Sequence, residues 1–444
     1  MLKAVVLSSC LGFVAALSCA AHGSQPTSAG RQKPNIILFL ADDIGAECFG
    51  SYGGESYQTP RLDALAKEGV RFTHCYAQPL CTPTRVQLMT GQSNARNYTA
   101  FGILDPRQPT FGPMLQRGGY ATAVAGKWQL YGAELEGLHA RAGAHPRSAG
   151  FDEYRLWQVS QRGSRYWDPL IEHDGEEARE LAGRYGPDLF ADFVCDFITR
   201  HRERPFFVYY PMVLTHSPFT PTPDDVASGE SPQGNQARGK RDTDHFASMV
   251  AYMDKIVGRV VDHVESLGLR DNTVVIFTTD NGTDRAITSR ANGRTVRGGK
   301  GLTTDAGTHV PLIVSWPAGV KGGSVCHDLV DSTDFLPTLA ELSGATIPPG
   351  PLDGRSFLPQ IRGEPGRPRQ HLVAHYHPRP ERRDSAPQRW ARDHRWKLYD
   401  TGGFYDLPSD PLEESPLDLA NAPPEARAAH EKLLAALRAA PVRR

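Results

Sequence analysis

No charge of either sign dominates this chain. Lysine and arginine number 49 against 50 aspartates and glutamates, a formal charge of −1. No basic surplus invites nucleic acid, and no polybasic tract invites anionic lipid. Beyond the amino terminus no apolar run is long enough for a membrane helix, and there is no internal repeat. Cysteine is sparse, 7 in 444 residues, and its pairing is not legible from the sequence. What the chain has in quantity is turn-formers, 43 Gly and 35 Pro, as suits an enzyme that builds its site from loops.

Lys3 precedes an apolar run from Ala4 to Leu17 and then Ser18-Cys19-Ala20-Ala21. The run is about 14 residues, too short for a bilayer core of roughly 30 Å, and reads as an export signal over residues 1–21. The expected location is periplasmic or secreted; lipid attachment at Cys19 is the alternative, for which Ala16 is a poor match. The processed chain would keep Cys48, Cys75, Cys81, Cys195 and Cys326. That odd number asks for one cysteine with chemistry of its own.

Four short apolar runs end abruptly in polar residues. Asn35–Ala41 meets Asp42-Asp43, and Ala121–Ala125 meets Gly126-Lys127. Pro205–Val213 leads to Thr215-His216, and Thr273–Thr279 to Asp280-Asn281-Gly282. Near-continuous apolar runs mark strands buried on both faces, as in a parallel or mixed α/β sheet, where ligands sit beyond the carboxyl ends of the strands. Helices are expected over Thr59-Pro60 to Lys67, Pro187 to Thr199 and His245 to Leu267. Two polar stretches, Thr222 to Asp242 and Arg285 to Gly301, read as solvent-exposed loops. The Pro-rich segment Ala345–Pro351 divides a catalytic domain (33–350) from a small carboxy-terminal subdomain (351–444). In the latter, Trp396–Tyr399 and Gly403–Leu407 read as strands and Pro424 to about Ala440 as a helix.

Asp42, Asp43, Asp280 and Asn281 offer oxygen ligands only, a set that suits Ca²⁺ or Mg²⁺ and argues against Zn²⁺. The string Cys81-Thr82-Pro83-Thr84-Arg85, followed by Leu88-Met89-Thr90-Gly91, places Cys, Pro and Arg at a fixed spacing. It resembles the signature of the sulfatases. Further blocks are similar in the same order: Gln58–Asp63, Gly119–Trp128, Thr215-His216-Ser217-Pro218, Asp280-Asn281-Gly282, Gly299-Lys300-Gly301 and Tyr405-Asp406-Leu407 with Asp410–Glu413.

The resemblance implies an alkaline-phosphatase-like α/β fold, a large mixed sheet flanked by helices with a smaller α+β subdomain. It implies that a maturation enzyme oxidises Cys81 to formylglycine (3-oxoalanine), whose hydrate attacks sulfur and forms a covalent sulfo-enzyme. A divalent cation, Ca²⁺ with Mg²⁺ as the alternative, would be held by Asp42, Asp43, Asp280, Asn281 and the group at Cys81. Arg85 would orient the nucleophile, Lys127 and Lys300 would neutralise sulfate oxygens, and His216 would protonate the leaving alcohol. Substrate would be a sulfated small molecule or carbohydrate. Arg165–Asp168, His375-Tyr376-His377 and the Arg-rich stretch Arg379 to Arg395 are candidate glycan-facing loops, though such loops are commonly just solvated.

Two positions depart from the family pattern. Gln129 stands where a histidine is usual, and a glutamine takes no proton near neutral pH; Asp280 is the nearest alternative base by role. His309 stands where an arginine is common and is a candidate for the substrate pocket, beside the reading that it is structural. Two further readings stay open: a phosphonate monoester or phosphodiester hydrolase with the same chemistry, and a non-catalytic glycan-binding relative, which only Gln129 favours. The sequons at Asn97 and Asn281 are discounted. Mass spectrometry of the Cys81 peptide from natively produced, active protein is expected to show formylglycine, and Cys81→Ala to abolish sulfate release. Unmodified Cys81 in an active sample sinks the assignment.

Overall fold

The computed structural model describes residues 33–137, 140–232, 243–380, 382 and 385–442, with residues 1, 2 and 4. The expected export signal at 1–21 lies outside the described residues, save for those three.

The four apolar runs become neighbours at the centre of one sheet. These are β1 (Asn35–Ala41), β3 (Ala121–Lys127), β7 (Phe206–Pro211) and β8 (Thr273–Thr279). The sheet is completed by β2 (Val70–Tyr76), β4 (Glu153–Trp157), β5 (Leu170–His173), β6 (Arg179–Glu180), β11 (His309–Ser315) and β12 (Ser324–Asp331). Its order is β12-β2-β11-β8-β1-β7-β3-β4-β5-β6. The stretch β8-β1-β7-β3-β4 is parallel, whereas β11 runs antiparallel to both its neighbours. Parallel neighbours send their carboxyl ends to one edge, and all four polar strand ends gather there.

The runs are continuous because both sheet faces are covered. Ile37, Phe39, Val275, Phe277 and Val208 point to one side, with Phe190, Phe197, Met249 and Val257 from the helices Gly186–Arg200 and Phe246–Ser266. Ile36, Leu38, Val274, Ile276 and Phe207 point to the other, with Val86, Met89, Phe335 and Leu339 from the helices Cys81–Thr90 and Phe335–Ser343. On β3 the residues of the first side are Ala121, Ala123 and Ala125, small enough to let the helix Gly186–Arg200 lie close.

Two expectations change. The stretch 285–301 is not a loop alone but carries a hairpin, β9 (Thr288–Ala291) with β10 (Arg294–Arg297). Its turn is Asn292-Gly293, with φ of 51° and 73°, the left-handed pair that suits a two-residue hairpin turn. The Thr222–Asp242 stretch begins with a short helix, Pro223–Ala227, under a Thr222/Asp225 capping box; residues 233–242 lie outside the described ones.

The carboxy-terminal sheet contains the two expected strands, β15 (Trp396–Tyr399) and β16 (Phe404–Asp406), and two more, β13 (Leu372–Tyr376) and β14 (Gln388–Arg392), paired antiparallel in the order β13-β14-β15-β16. The helix Pro424–Ala439 covers it with Ala426, Leu433 and Leu437 over Trp396, Leu398 and Phe404. The Arg-rich stretch is therefore not uniformly solvated. Arg392 is buried, paired with Asp305 and stacked 3.8 Å from the Tyr76 ring centre.

Lys397, buried and paired with Glu413, helps fasten this sheet to the loop after β10. Lys397 Nζ lies 2.7 Å from Glu413 Oε1 and also donates to Thr303 O, while Tyr399 OH donates to Thr303 Oγ1 at 2.8 Å. Removing one partner of a fully buried pair strands the other charge and costs about 3–5 kcal/mol. Lys397→Met is expected to lower unfolding free energy by that amount in denaturant titration. A loss below about 1 kcal/mol would show the pair to be weakly coupled to the fold.

Candidate active site

The site forms where β1, β3, β7 and β8 end. Asp42 and Asp43 follow β1, and Asp280 and Asn281 follow β8; all four are fully buried. Asp43 has φ of 62°, a left-handed conformation uncommon outside glycine. Its N–H donates to Asp280 Oδ1 at 3.2 Å, and Asn281 Nδ2 donates to Asp43 Oδ1 at 2.8 Å.

Three cations offset three carboxylates. Lys127 Nζ, from the end of β3, is 2.8 Å from Asp42 Oδ2. Lys300 Nζ bonds Asp43 Oδ2. Arg85 donates from Nε (3.0 Å) and a terminal nitrogen (2.8 Å) to Asp280 Oδ2, and to Lys127 O at 3.1 Å. Arg85 thus lies behind Cys81 as a clamp between the ends of β3 and β8. Thr84 Oγ1 adds a 2.6 Å bond to Asp280 O, fixing the amino end of the helix Cys81–Thr90 against β8. Cys81 is the first residue of that helix, buried at its positive end.

Burial alone would raise the Asp42 and Asp43 carboxyls. The surrounding basic groups, Lys127 ahead of His216 for Asp42 and His216 ahead of Lys300 for Asp43, the imidazole acting only when protonated, outweigh it and hold both below the usual carboxylate range. Asp280 goes the other way: burial and the Asp42 charge push it up to about 7 despite Arg85. Burial likewise raises the Cys81 thiol.

The donor set fits a hard cation. Asp42 Oδ1 and Asn281 Oδ1 are buried oxygens without a hydrogen-bond partner among the described residues, a costly state unless something electropositive meets them. Asp42, Asp43 and His216 each bring a ligand atom within 4.8 Å of the others. His216 thus stands beside Asp42 and Asp43 as a further group that could hold a cation, which its sequence reading did not include.

His216 follows β7. Its Nε2 is 3.1 Å from Lys300 Nζ and 3.4 Å from Asp43 Oδ2, and Nδ1 is 2.6 Å from Ser217 O. A carbonyl at Nδ1 and an ammonium at Nε2 select the neutral tautomer with its proton on Nδ1. Burial pushes its pKa down to about 4. The imidazole expected to be poised near neutrality is held uncharged, and Lys300 bears the proton on that side of the pocket. Burial would lower the Lys300 pKa, but the Asp43 charge outweighs it and raises it.

Gln129 also reaches the site: Cys81 Sγ donates to Gln129 Oε1 at 3.6 Å. His309 sits elsewhere, its Nε2 2.9 Å from Thr73 O and its ring against Tyr76. Burial lowers its pKa, and these contacts match the structural reading. Arg165, read only as part of a glycan-facing loop, is nearer the chemistry. Its guanidinium stacks 3.9 Å from the Trp157 ring centre, with NH1 3.9 Å from Asp42 Oδ2 and no hydrogen bond to that nitrogen among the described residues. Tyr166 beside it donates to Val213 O at 2.8 Å and to His216 O, welding this loop to the one that carries His216. Glu134 and Gln158, behind Gln129, were missed; their approach depends on a chain turn with no local sequence signal. All five cysteines of the described residues are free. Both discounted sequons fall on buried asparagines, Asn97 and Asn281.

A large mixed sheet with buried acids and cations at its central strand ends is the architecture of the alkaline-phosphatase-like hydrolases. The Sulfatase family profile matches residues 34–345, and that of the N-sulphoglucosamine sulphohydrolase carboxy-terminal region matches 299–439. The chain belongs to the sulfatase family, whose members are sulfuric ester hydrolases. It is 35% identical to arylsulfatase A of Homo sapiens over 379 residues, covering 76% of this chain and 70% of that one. It is 31% identical to N-acetylgalactosamine-6-sulfatase of Homo sapiens over 381 residues, covering 75% and 67%. The solved structure of Ps i-CgsB in complex with k-i-k-neocarrahexaose superposes with a TM-score of 0.74 at 25% identity, over 92% of each chain.

Adding Ca²⁺ to chelator-treated protein is expected to raise its unfolding free energy, by about 2.7 kcal/mol at a hundredfold excess over the dissociation constant, and Asp43→Asn to abolish the effect. Cation binding must displace the Asp280 proton below its pKa of about 7. Affinity should therefore climb by up to about tenfold per pH unit below that point and level off above it. A flat profile from pH 5 to 8 by calorimetry contradicts the Asp280 assignment.

Proposed function

We propose that this chain hydrolyses sulfate esters of a carbohydrate, using the hydrated aldehyde derived from Cys81 as nucleophile and a divalent cation, Ca²⁺ foremost, as electrophile. The observation that carries the reading is the meeting of Cys81, Lys127, Lys300 and His216 around unpartnered oxygens of Asp42 and Asn281. Oxidation of Cys81 by a maturation enzyme would give the chain a hydroxyl nucleophile. Bound by Asp42, Asp43, Asp280 and Asn281, a cation would draw charge from a sulfate oxygen and acidify that hydroxyl.

The chain's own groups do the rest. Lys127 and Lys300 lie either side of the acid cluster and would receive sulfate oxygens as charge builds on them. Arg85 holds Asp280 and the helix that presents position 81, so the nucleophile meets sulfur from a fixed direction. The leaving oxygen would face the Lys300–His216 pair, where the Lys300 ammonium donates a hydrogen bond to it as charge builds and the neutral imidazole holds that ammonium in place. Arg165, stacked on the buried Trp157 ring, projects a donor nitrogen toward Asp42.

A carbohydrate is favoured by the relative named for N-acetylgalactosamine-6-sulfate chemistry. Action on a glycan outside the cell agrees with the export signal expected at residues 1–21, and among the described residues no helix is long and apolar enough to cross a membrane. The test is a panel of sulfated sugars, aryl sulfates and a matched phosphodiester. Sulfated sugars are expected to turn over fastest, with Lys127→Ala lowering kcat/KM on the order of a hundredfold or more. Faster turnover of the phosphodiester overturns the substrate class. Sulfated-glycan binding without turnover, with position 81 modified and cation present, overturns catalysis.

A further inference from the structure

β3 and β4 stay paired beyond their ends. Trp128 N donates to Trp157 O at 3.0 Å, and Gln129 N to Gln158 O at 3.1 Å. Both glutamines adopt left-handed backbone, φ of 53° and 60°, so two adjacent chains make the same unusual turn side by side. The turn brings both side-chain amides to one carboxylate. Glu134 Oε1 accepts from Gln129 Nε2 at 3.1 Å and from Gln158 Nε2.

An ionised carboxylate only accepts hydrogen bonds. Glu134 therefore decides which end of the Gln129 amide points where: nitrogen toward Glu134, oxygen toward Cys81. The 3.6 Å contact from Cys81 Sγ to Gln129 Oε1 is the result. The position that departs from the family pattern is thus neither free nor ambiguous in orientation.

We propose that Glu134 is a positioning residue for the sulfatase reaction, locking Gln129 as a hydrogen-bond acceptor for the side chain at position 81. The proposal rests on the reading that this side chain carries the nucleophilic hydroxyl. An acceptor there binds the hydroxyl hydrogen and leaves the oxygen lone pair directed at sulfur. A carboxylate on the far side of the amide polarises it and strengthens the acceptor. No proton is transferred, because an amide takes none near neutral pH; the pair sets direction only. If the amide turned over, its nitrogen would donate to the very lone pair that must attack.

Glu134→Gln tests this. Residue 134 is exposed, and the replacement keeps its shape while offering a donor as well as an acceptor, so Gln129 is no longer held one way. The expected result is a fall in kcat of about tenfold with KM changed less than about twofold. The second readout needs no turnover. In unmatured protein, where residue 81 is still a thiol, the released Gln129 nitrogen would donate to the thiolate. Alkylation of Cys81 by iodoacetamide should then reach half-maximal rate about one pH unit lower than in the wild type. Cys48 and Cys75, buried elsewhere in the core, should stay as slow as before and report an intact fold.

An unchanged alkylation profile overturns the proposal, whether or not kcat falls, because Glu134 would then not be setting the amide. A shifted profile in a protein whose wild type turns over no sulfate ester supports the positioning role and sinks the functional reading instead.

Discussion

Everything at this site depends on keeping three carboxylates out of water at one point. Burying an ionised group is costly unless it is paired and hydrogen-bonded. Asp42, Asp43 and Asp280 each have a cation, but the cations are not equivalent. Arg85 is enclosed and fixed on Asp280, whereas Lys300 stands at the pocket wall and touches His216. Lys127 and Lys300 hold one oxygen of Asp42 and one of Asp43, leaving the acids' other oxygens to Asn281 or to no partner. The cluster is balanced enough to fold and incomplete enough to bind. A cation meeting the free oxygens would leave the lysines attached to their acids yet able to share their charge with an incoming sulfate.

The sheet makes that balance possible. Four parallel neighbours deliver their last residues to one edge, and helices on both faces keep water from the strands. The first turn of the helix Cys81–Thr90 closes over the edge, tied to β8 through Thr84 and Arg85. Asp42, Asp43, Asp280 and Asn281 each stand one or two residues past a strand, so their positions follow from the register of the sheet.

Much of this was legible in the sequence. Asn35–Ala41 and Thr273–Thr279 declare themselves because strands buried on both sides need apolar residues at every position. The acids after them are conspicuous for the opposite reason. By contrast, β2 alternates with Arg71 and Thr73, β11 contains Pro311, and β14 is built on Arg389 and Arg392, so none shows an uninterrupted run. The hairpin within residues 285–301 was masked by its charge, although Asn292-Gly293 marks its turn. His216 was readable as a site residue but not as a neutral one, since that depends on burial and on Lys300 across the pocket. Glu134 and Gln158 had no signal at all: they matter through a turn that brings distant side chains onto one atom.

The contact between Thr303 and the carboxy-terminal strand β15 has a mechanical meaning. Thr303 lies three residues beyond Lys300, and both its carbonyl and its hydroxyl are gripped by Lys397 and Tyr399. The loop that carries Lys300 is thus strung between two anchors, the hairpin on one side and the small sheet on the other. The small sheet works as a tensioner for that loop. A substitution in that sheet would shift Lys300 without touching any residue of the acid cluster.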